Sequence, residues 1–297
     1  MLFKDQKVTF ADVFVPESVG KTLKDRPYGP RNFEKYDLYL PKKQTDKMPI
    51  LLDLQGGGLV RGRKSSEKLS PMLRLTEQGI AIATMNYCLI SEKDYAFPKQ
   101  VAEVRAVLID LKKHAQEWGL DLNRLYLTGE SSGAQLAVLT AATVSAGVKL
   151  GYADGLEDDV DQVPTIQKVI ASYGPYEFDQ FKEEFQQAGI QPKYKESGEP
   201  NSFEGLAVGG HQVTENPIGI SQGNPANYFT KEMPALFAMA GTADQVVPFQ
   251  QSVEMVKRYE ALTGKQAKTY WLTGGHHGIA DFDNEQVDQM KIAFLKA

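Results

Sequence analysis

The pentapeptide Gly-Glu-Ser-Ser-Gly at residues 129–133 joins a short apolar run, residues 125–127, to a helix-like run, residues 134–139. A strand that turns directly into a helix in this way leaves no room for side chains beside the central residue, so glycine is needed on both sides. The backbone at Ser131 is then strained, and its hydroxyl projects from the turn. The segment predicts a strand, a sharp turn and a helix, although an ordinary strand-to-helix loop can carry the same pattern.

A serine hydroxyl needs a histidine base to act as a nucleophile near neutral pH, and the chain has four histidines. His114 lies on the polar side of a predicted helix, and His211 lies in a glycine-rich loop with no strand before it. His276 and His277 follow a strand-like run and a Gly-Gly loop. Since loops at the carboxyl ends of strands line the cleft of an open α/β sheet, this pair contains the candidate base.

A carboxylate must orient such a histidine and stabilise its charged form. Asp244 is the candidate, because it lies in the turn after an apolar run at residues 235–240 that is typical of a buried strand. In chain order the candidates are therefore Ser131, Asp244 and one of the paired histidines. This is the order of nucleophile, acid and base expected of the α/β-hydrolase fold.

Three glycines, residues 56–58, directly follow the apolar strand predicted at residues 50–54. Attack on an ester carbonyl places negative charge on its oxygen, and backbone N–H groups must already point at that oxygen. Gly57 and Gly58 would let the backbone approach the substrate closely. Three glycines in a row can also form a flexible turn, but beside the serine turn we favour an oxyanion loop.

Further motifs resemble, in order and over roughly residues 34 to 296, the esterase and lipase group of α/β-hydrolases. That group includes hormone-sensitive-lipase-like carboxylesterases and feruloyl- or acetylxylan-esterase-like enzymes. The matching segments are Asp37-Leu38-Tyr39-Leu40-Pro41, Asn86-Tyr87, Phe97-Pro98, Gly119-Leu120-Asp121-Leu122-Asn123-Arg124-Leu125, Asn224-Pro225-Ala226-Asn227-Tyr228, Pro234-Ala235-Leu236 and His277-Gly278. The last of these favours His277 over His276 as the base.

The resemblance implies a carboxylesterase that acts on a small-molecule ester through an acyl-enzyme. Ser131, Asp244 and His277 would form its triad, and the N–H groups of Ser132 and of Gly57 or Gly58 would bind the oxyanion. No cofactor and no metal are expected, because the chain has no zinc-like Cys/His spacing and no phosphate loop.

The chain departs from the group's pattern at three positions of these motifs, and at one of them Leu59 replaces the tryptophan that usually follows the glycines. Gln55 replaces the usual histidine before the glycines, which leaves the backbone donors in place and alters the hydrogen bonds available to support the loop. Ser132 replaces the alanine that commonly follows the nucleophile, and only its N–H is required.

Two other functions stay open. The same triad serves amide hydrolases such as formamidases and some peptidases, and nothing in the sequence shows whether the site can protonate an amine leaving group. A ligand-binding protein on a hydrolase scaffold is the second, although such proteins typically have lost a triad residue. The identities of the acyl group and of the alcohol cannot be read from the sequence.

Strand-like and helix-like runs alternate along the chain, which predicts an α/β fold with a mostly parallel central sheet flanked by helices. We predict one domain over residues 1–297, with residues 175–230 inserted as a cap. Amphipathic helices are predicted at 100–117 and 249–262, and the three Phe residues 178, 181 and 185 favour a packed cap helix over an aromatic wall. The predicted strands cover 8–15, 35–40, 50–54, 80–87, 124–128, 168–173, 235–240 and 267–272, the first two as an antiparallel edge.

Charge and cysteine usage limit the partners and the compartment. The net charge is −5 and no basic cluster is interleaved with aromatic residues, so nucleic-acid binding is not expected. No apolar run reaches membrane-spanning length, and Lys4, Asp5 and Lys7 interrupt the start, so we expect neither a membrane segment nor a secretory signal. With Cys88 as the single cysteine, the cytoplasm is the expected location. The resemblance suggests a homodimer, but the sequence itself leaves the oligomeric state open.

Overall fold

A computed structural model describes residues 8–43, 47–90, 97–151 and 155–297. The charged start at Lys4, Asp5 and Lys7 lies outside these residues. Within them, eight strands form one sheet in the order β1-β2-β4-β3-β5-β6-β7-β8. The strands are β1 (Val19–Pro27), β2 (Lys35–Pro41), β3 (Met48–Leu54), β4 (Ala81–Met85), β5 (Leu120–Glu130), β6 (Lys168–Ser172), β7 (Ala235–Gly241) and β8 (Lys268–Leu272).

The sheet is parallel except at one edge, where β2 pairs antiparallel with both β1 and β4. The parallel strands are short apolar runs because both of their faces are covered by helices. Along β3, for example, Ile50 and Leu52 pack into the core on one face, and Leu51 packs into the core on the other. The predicted α/β fold with a mostly parallel sheet is confirmed.

Helices flank the sheet on both faces. Side chains of α2, α3 and α7 pack into one core, and those of α1 and α8 pack into the other. Both predicted amphipathic helices are confirmed as α2 and α7. The helices are α1 (Ser70–Leu73), α2 (Gln100–Trp118), α3 (Ser132–Ser145), α4 (Phe181–Ala188), α5 (Phe203–Ala207), α6 (Pro217–Gly223), α7 (Phe249–Thr263) and α8 (Glu285–Lys296).

The strand predicted at residues 8–15 is wrong. That segment makes a single bridge, between Asp12 and Ser66, and Phe14 is 81% exposed. The edge strand is β1 instead, whose sequence is polar and whose side chains are all exposed or half-buried. An edge strand pairs on one side only, so it does not need the apolar alternation that marked residues 8–15. The sheet does have an antiparallel edge at β2, as predicted, but the strand outside it is β1 and not residues 8–15.

The chain between β6 and β7 contains the short helices α4, α5 and α6 and no strand within its described residues. This stretch includes residues 175–230, and its helices α4 and α5 contribute to the cleft in which the candidate residues meet. Nowhere in the described ranges is a helix long and apolar enough to cross a membrane.

Candidate active site

Ser131 lies at the sharp turn between β5 and α3, with φ 53° and ψ −126°. The flanking glycines are required by close backbone approach. A Cβ atom on Gly129 would lie 2.3 Å from the Gly133 carbonyl oxygen, and one on Gly133 would lie 2.0 Å from the Leu54 carbonyl oxygen. The Ser131 N–H donates to the carbonyl of Ser172, which ties the strained residue to β6. The Ser131 hydroxyl is therefore held in a fixed position at the carboxyl ends of the parallel strands.

His277 connects this hydroxyl to a buried carboxylate. Its Nε2 lies 3.0 Å from Ser131 Oγ, and its Nδ1 lies 2.7 Å from Asp244 Oδ2. The other oxygen of Asp244 accepts the N–H groups of Val246 and Val247, at 2.7 and 3.0 Å. Asp244 is 1% exposed, so this carboxylate is oriented by protein donors alone. The three predicted residues thus form one hydrogen-bonded chain.

The other three histidines are not part of this hydrogen-bonded series. His276 has 66% of its side chain exposed, and its Nδ1 lies 3.4 Å from Asp281. His114 stacks on Trp118 at the end of α2, and His211 is exposed. Of the two adjacent histidines, the structure therefore brings His277 and not His276 to Ser131.

The glycine loop lies beside the serine turn. Leu59 N–H donates to Ser132 Oγ at 3.2 Å, so the side chain that distinguishes this chain from the group's usual alanine links the two segments. Gly57 and Gly58 have φ of 129° and 65° and line the same cleft as Ser131. Within the described part of the chain, the N–H groups of Gly57, Gly58 and Ser132 donate to no protein acceptor. They are available to an oxygen in the cleft.

Gln55, which also departs from the group's pattern, is buried beneath this loop. Its carbonyl oxygen accepts the Tyr87 hydroxyl at 2.7 Å. Its side-chain Oε1 is buried without a hydrogen bond in the described structure. The loop is thus supported through the backbone of Gln55, which explains how the position accepts a residue other than histidine.

A polar network beside His277 was not predicted from the sequence. Tyr173 follows β6, and its ring packs edge-on against His277 with centroids 4.8 Å apart. Its hydroxyl donates to Glu130 Oε2 at 2.8 Å, and Glu130 Oε1 accepts from Lys68 at 2.9 Å. Burial beside Glu130 raises the pKa of Tyr173, so the phenol stays a donor. The sequence feature that could have indicated this network is Glu130, a charged residue directly before Ser131 in the pentapeptide.

The cleft around Ser131 and His277 has a volume of about 220 Å³. Phe178 and Phe181 line it, and Phe181 also packs edge-on against Phe185, with ring centroids 6.3 Å apart. The predicted packing role of these aromatic residues is therefore correct, but two of them also form the wall that was considered less favourable. Phe181, the first residue of α4, both packs against Phe185 and lines the cleft.

A smaller cavity of about 40 Å³ lies behind the serine turn and also contacts Glu130. Asp53 and Lys291 both line it. Burial, followed by the charge of Glu130, raises the pKa of Asp53 to about 8. Burial lowers the pKa of Lys291 to about 8. A polar cavity of this size can hold ordered water between the two groups.

No group of three or more His, Cys, Asp or Glu side chains within the described ranges is arranged to hold a metal ion. Cys88 is buried and belongs to no disulfide. The chemistry of the cleft is therefore argued from its hydroxyl, imidazole, carboxylate and amide groups.

Comparison with known proteins gives one family match. The model of the BD-FAE family matches residues 36–259 of the chain. This range contains Ser131, Asp244 and the glycine loop and ends before His277.

Two curated relatives come from Mycobacterium tuberculosis. The chain is 21% identical to the protein named esterase LipC over 254 residues, which are 85% of this chain and 58% of that one. It is 24% identical to the protein named probable carboxylic ester hydrolase LipM over 226 residues, which are 76% of this chain and 48% of that one. The chain thus spans about half the length of these relatives.

Among solved structures, a truncated carbohydrate esterase from gut microbiota superposes with a TM-score of 0.78. The two chains are 22% identical, and the match covers 94% of this chain and 96% of the other. At this identity the similarity shows a shared fold.

Proposed function

The chain belongs to the BD-FAE family of α/β-hydrolase esterases, and we propose that it is a serine carboxylesterase acting on short-chain or small acyl esters. The observation that carries this proposal is the hydrogen-bonded chain from Ser131 Oγ through His277 to Asp244. A hydroxyl, an imidazole and a buried carboxylate in this geometry are what nucleophilic acyl transfer requires.

Acylation begins when Ser131 Oγ attacks the acyl carbon of the ester. His277 Nε2, 3.0 Å away, accepts the hydroxyl proton as the bond forms. Asp244 accepts a hydrogen bond from Nδ1, so it fixes the tautomer that leaves Nε2 free to take the proton. His277 then donates that proton to the leaving alcohol.

The negative charge that develops on the carbonyl oxygen is stabilised by backbone donors. The N–H of Ser132 at the start of α3 and the N–H of Gly57 or Gly58 are the groups that serve this role. Their lack of protein acceptors supports the assignment, because donors that are already satisfied would have to break a bond first. Water then attacks the acyl-enzyme, with His277 as base, and releases the acid.

The cleft volume of about 220 Å³ favours small substrates, since pockets for drug-sized ligands are typically about 300–1,000 Å³. We assign residues 175–230 as a cap within a single domain. This assignment is supported by Phe181 on α4 and Phe203 on α5, which line the cleft opposite the sheet edge. A cap in this position would limit the length of the acyl group or the size of the alcohol.

The test is hydrolysis of p-nitrophenyl esters from acetate to octanoate by the wild-type protein and by Ser131→Ala. We expect turnover that the substitution abolishes, with an optimum at the shorter chains. Turnover equal in the two proteins would exclude Ser131 as the nucleophile. Hydrolysis of matched anilides but not of esters would instead favour the amide hydrolase.

A further inference from the structure

Glu204 is a buried carboxylate that lines the cleft and has no part in the acyl-transfer steps. It lies on α5 and is 4% exposed. Its Oε1 accepts hydrogen bonds from the Ser197 hydroxyl at 2.6 Å and from the Gly198 N–H at 2.8 Å. The carboxyl also receives hydrogen bonds from its own N–H and from the Ser202 hydroxyl. All of these donors are neutral, so the carboxylate that lines the cleft has hydrogen bonds but no cationic partner.

No positive charge of the protein balances this carboxylate. Within the described ranges, no Lys, Arg or His nitrogen lies within ion-pair distance of Glu204. Burial raises the pKa of the Glu204 carboxyl, and the hydrogen bond from Ser197 opposes that effect. Buried carboxylates are normally paired with a cation, because the loss of water penalises the charged form. A cation from outside would complete the site.

Aromatic rings occupy the same side of the cleft. Phe203, the neighbour of Glu204 on α5, lies so close to the oxyanion loop that a Cβ atom on Gly58 would be 2.0 Å from its ring. Phe178 and Phe181 line the cleft as well. Ring faces attract alkylammonium groups, and the attraction is strongest where water is excluded. A hydroxyl would use only the carboxylate, whereas an alkylammonium would use both the negative charge of the carboxylate and the rings.

The lysines of the cleft are engaged elsewhere. Lys68 pairs with Glu130 at 2.9 Å, and the exposed Lys193 lies over the ring of Tyr194, 5.8 Å from its centroid. Arg61 also lines the cleft, and none of these three cationic side chains forms an ion pair with Glu204. Glu204, on the α5 side of the cleft, therefore has no positively charged side chain to balance it.

We propose that Glu204 and the rings of Phe178, Phe181 and Phe203 form a subsite for an alkylammonium group carried by the ester substrate. The inference rests on the proposed esterase function, because it places this group beside Ser131 during turnover. It assigns Glu204 to substrate binding and selectivity, and it leaves the acyl-transfer steps unchanged.

The kinetic test compares acetylcholine with 3,3-dimethylbutyl acetate, a neutral ester of nearly the same shape. The wild-type protein should prefer the cationic ester in kcat/KM by about tenfold. Glu204→Gln keeps the shape and the hydrogen bonds to Oε1, and it should bring the ratio close to one. Glu199→Gln removes a negative charge from the same segment outside the cleft and should retain the wild-type ratio. A neutral preference in the wild-type protein, or an unchanged ratio in Glu204→Gln, would overturn the proposal.

A binding test separates this inference from the esterase function and does not depend on the Glu204 variant folding. Tetramethylammonium is titrated calorimetrically into the wild-type protein and into Ser131→Ala, with sodium at equal ionic strength as the control. Saturable binding to both proteins supports the subsite even if no ester is hydrolysed. Absence of binding while esters are hydrolysed would reject the subsite and leave the proposed function intact.

Discussion

Strain and steric exclusion at single residues fix the position of Ser131, the proposed nucleophile. Ser131 holds a positive φ of 53°, a conformation that costs a non-glycine residue free energy and persists only where the surroundings enforce it. Here β5, α3 and the hydrogen bond to the Ser172 carbonyl enforce it together. The hydroxyl is therefore aimed at His277 before any substrate binds. This is the preorganisation that a nucleophile requires.

The two adjacent histidines give a matched pair of substitutions. His277→Ala removes the group that lies 3.0 Å from Ser131, and we expect kcat to fall by about 10⁴ or more. His276→Ala removes an exposed ring that lies beside Asp281, and we expect kcat within a few-fold of wild type. Steady-state hydrolysis of p-nitrophenyl acetate by both variants checks the assignment. Comparable losses in the two would mean that the base has been misassigned.

Tyr173 is expected to act through His277 as a positioning residue. Tyr173→Leu removes the ring that packs 4.8 Å from the imidazole, and kcat should fall by about tenfold to a hundredfold with little change in KM. Tyr173→Phe keeps the ring and removes the hydrogen bond to Glu130, so most of kcat should remain while the thermal midpoint falls. If Tyr173→Phe lost as much kcat as Tyr173→Leu, the hydroxyl and not the ring would be the important feature.

At the scale of elements, the sequence revealed those whose pattern is dictated by burial. The helix α2 and the buried strands β3 and β5 were predicted because their apolar spacing follows directly from what they cover. The edge strand β1 was missed because its side chains are not required to be apolar. Ser131 and Asp244 were found because each follows a buried strand.

Tyr173 and Glu204 could not be found by such local patterns. Tyr173 reaches Glu130 over 43 positions of the chain, and Glu204 reaches the cleft through the packing of a five-residue helix. No periodicity encodes either contact. The sequence could identify the ends of strands at which Ser131 and Asp244 lie, but not which side chains of the 175–230 segment would meet there.

The contact between the oxyanion loop and α5 gives a prediction at this scale. Gly58→Ala places a methyl group against the Phe203 ring at a left-handed φ of 65°, so the loop and its donors must shift. We expect kcat to fall by about 10² to 10³, the loss typical of one oxyanion donor. Gly264→Ala imposes similar backbone strain, with φ 72°, at the end of α7 where a Cβ atom meets no neighbour. That control should lower the thermal midpoint without lowering kcat.

At the scale of the whole molecule, two cavities meet at Glu130. One is the cleft lined by Ser131 and His277, and the other is the inner cavity lined by Asp53 and Lys291. Burial penalises the charged form of each inner group, which makes their ionisation a burden on stability and not a support of it. The homodimer suggested by resemblance stays a prediction, which size-exclusion chromatography with light scattering would test.

The raised pKa of Asp53 predicts a specific pH dependence of the free energy of unfolding. Its pKa is about 8 in the folded protein against an ordinary value of 3.8, so from about pH 4 to pH 8 the folded state holds a proton that the unfolded state has released. Stability must therefore fall as the pH rises through this range, by up to about 1.4 kcal/mol per pH unit. Lys291, with a pKa of about 8 against 10.5, has the opposite effect above pH 8, where stability recovers.

Asp53→Asn removes the titrating group and keeps its shape. The variant should therefore gain thermal stability over the wild-type protein, with a gain that is small at pH 5 and largest near pH 8. Calorimetric unfolding of both proteins at half-unit steps from pH 5 to pH 9 measures that difference, and the low-pH end serves as the internal control. A gain that did not change with pH would mean that Asp53 is already ionised in the folded protein. Lys291 would then balance its charge.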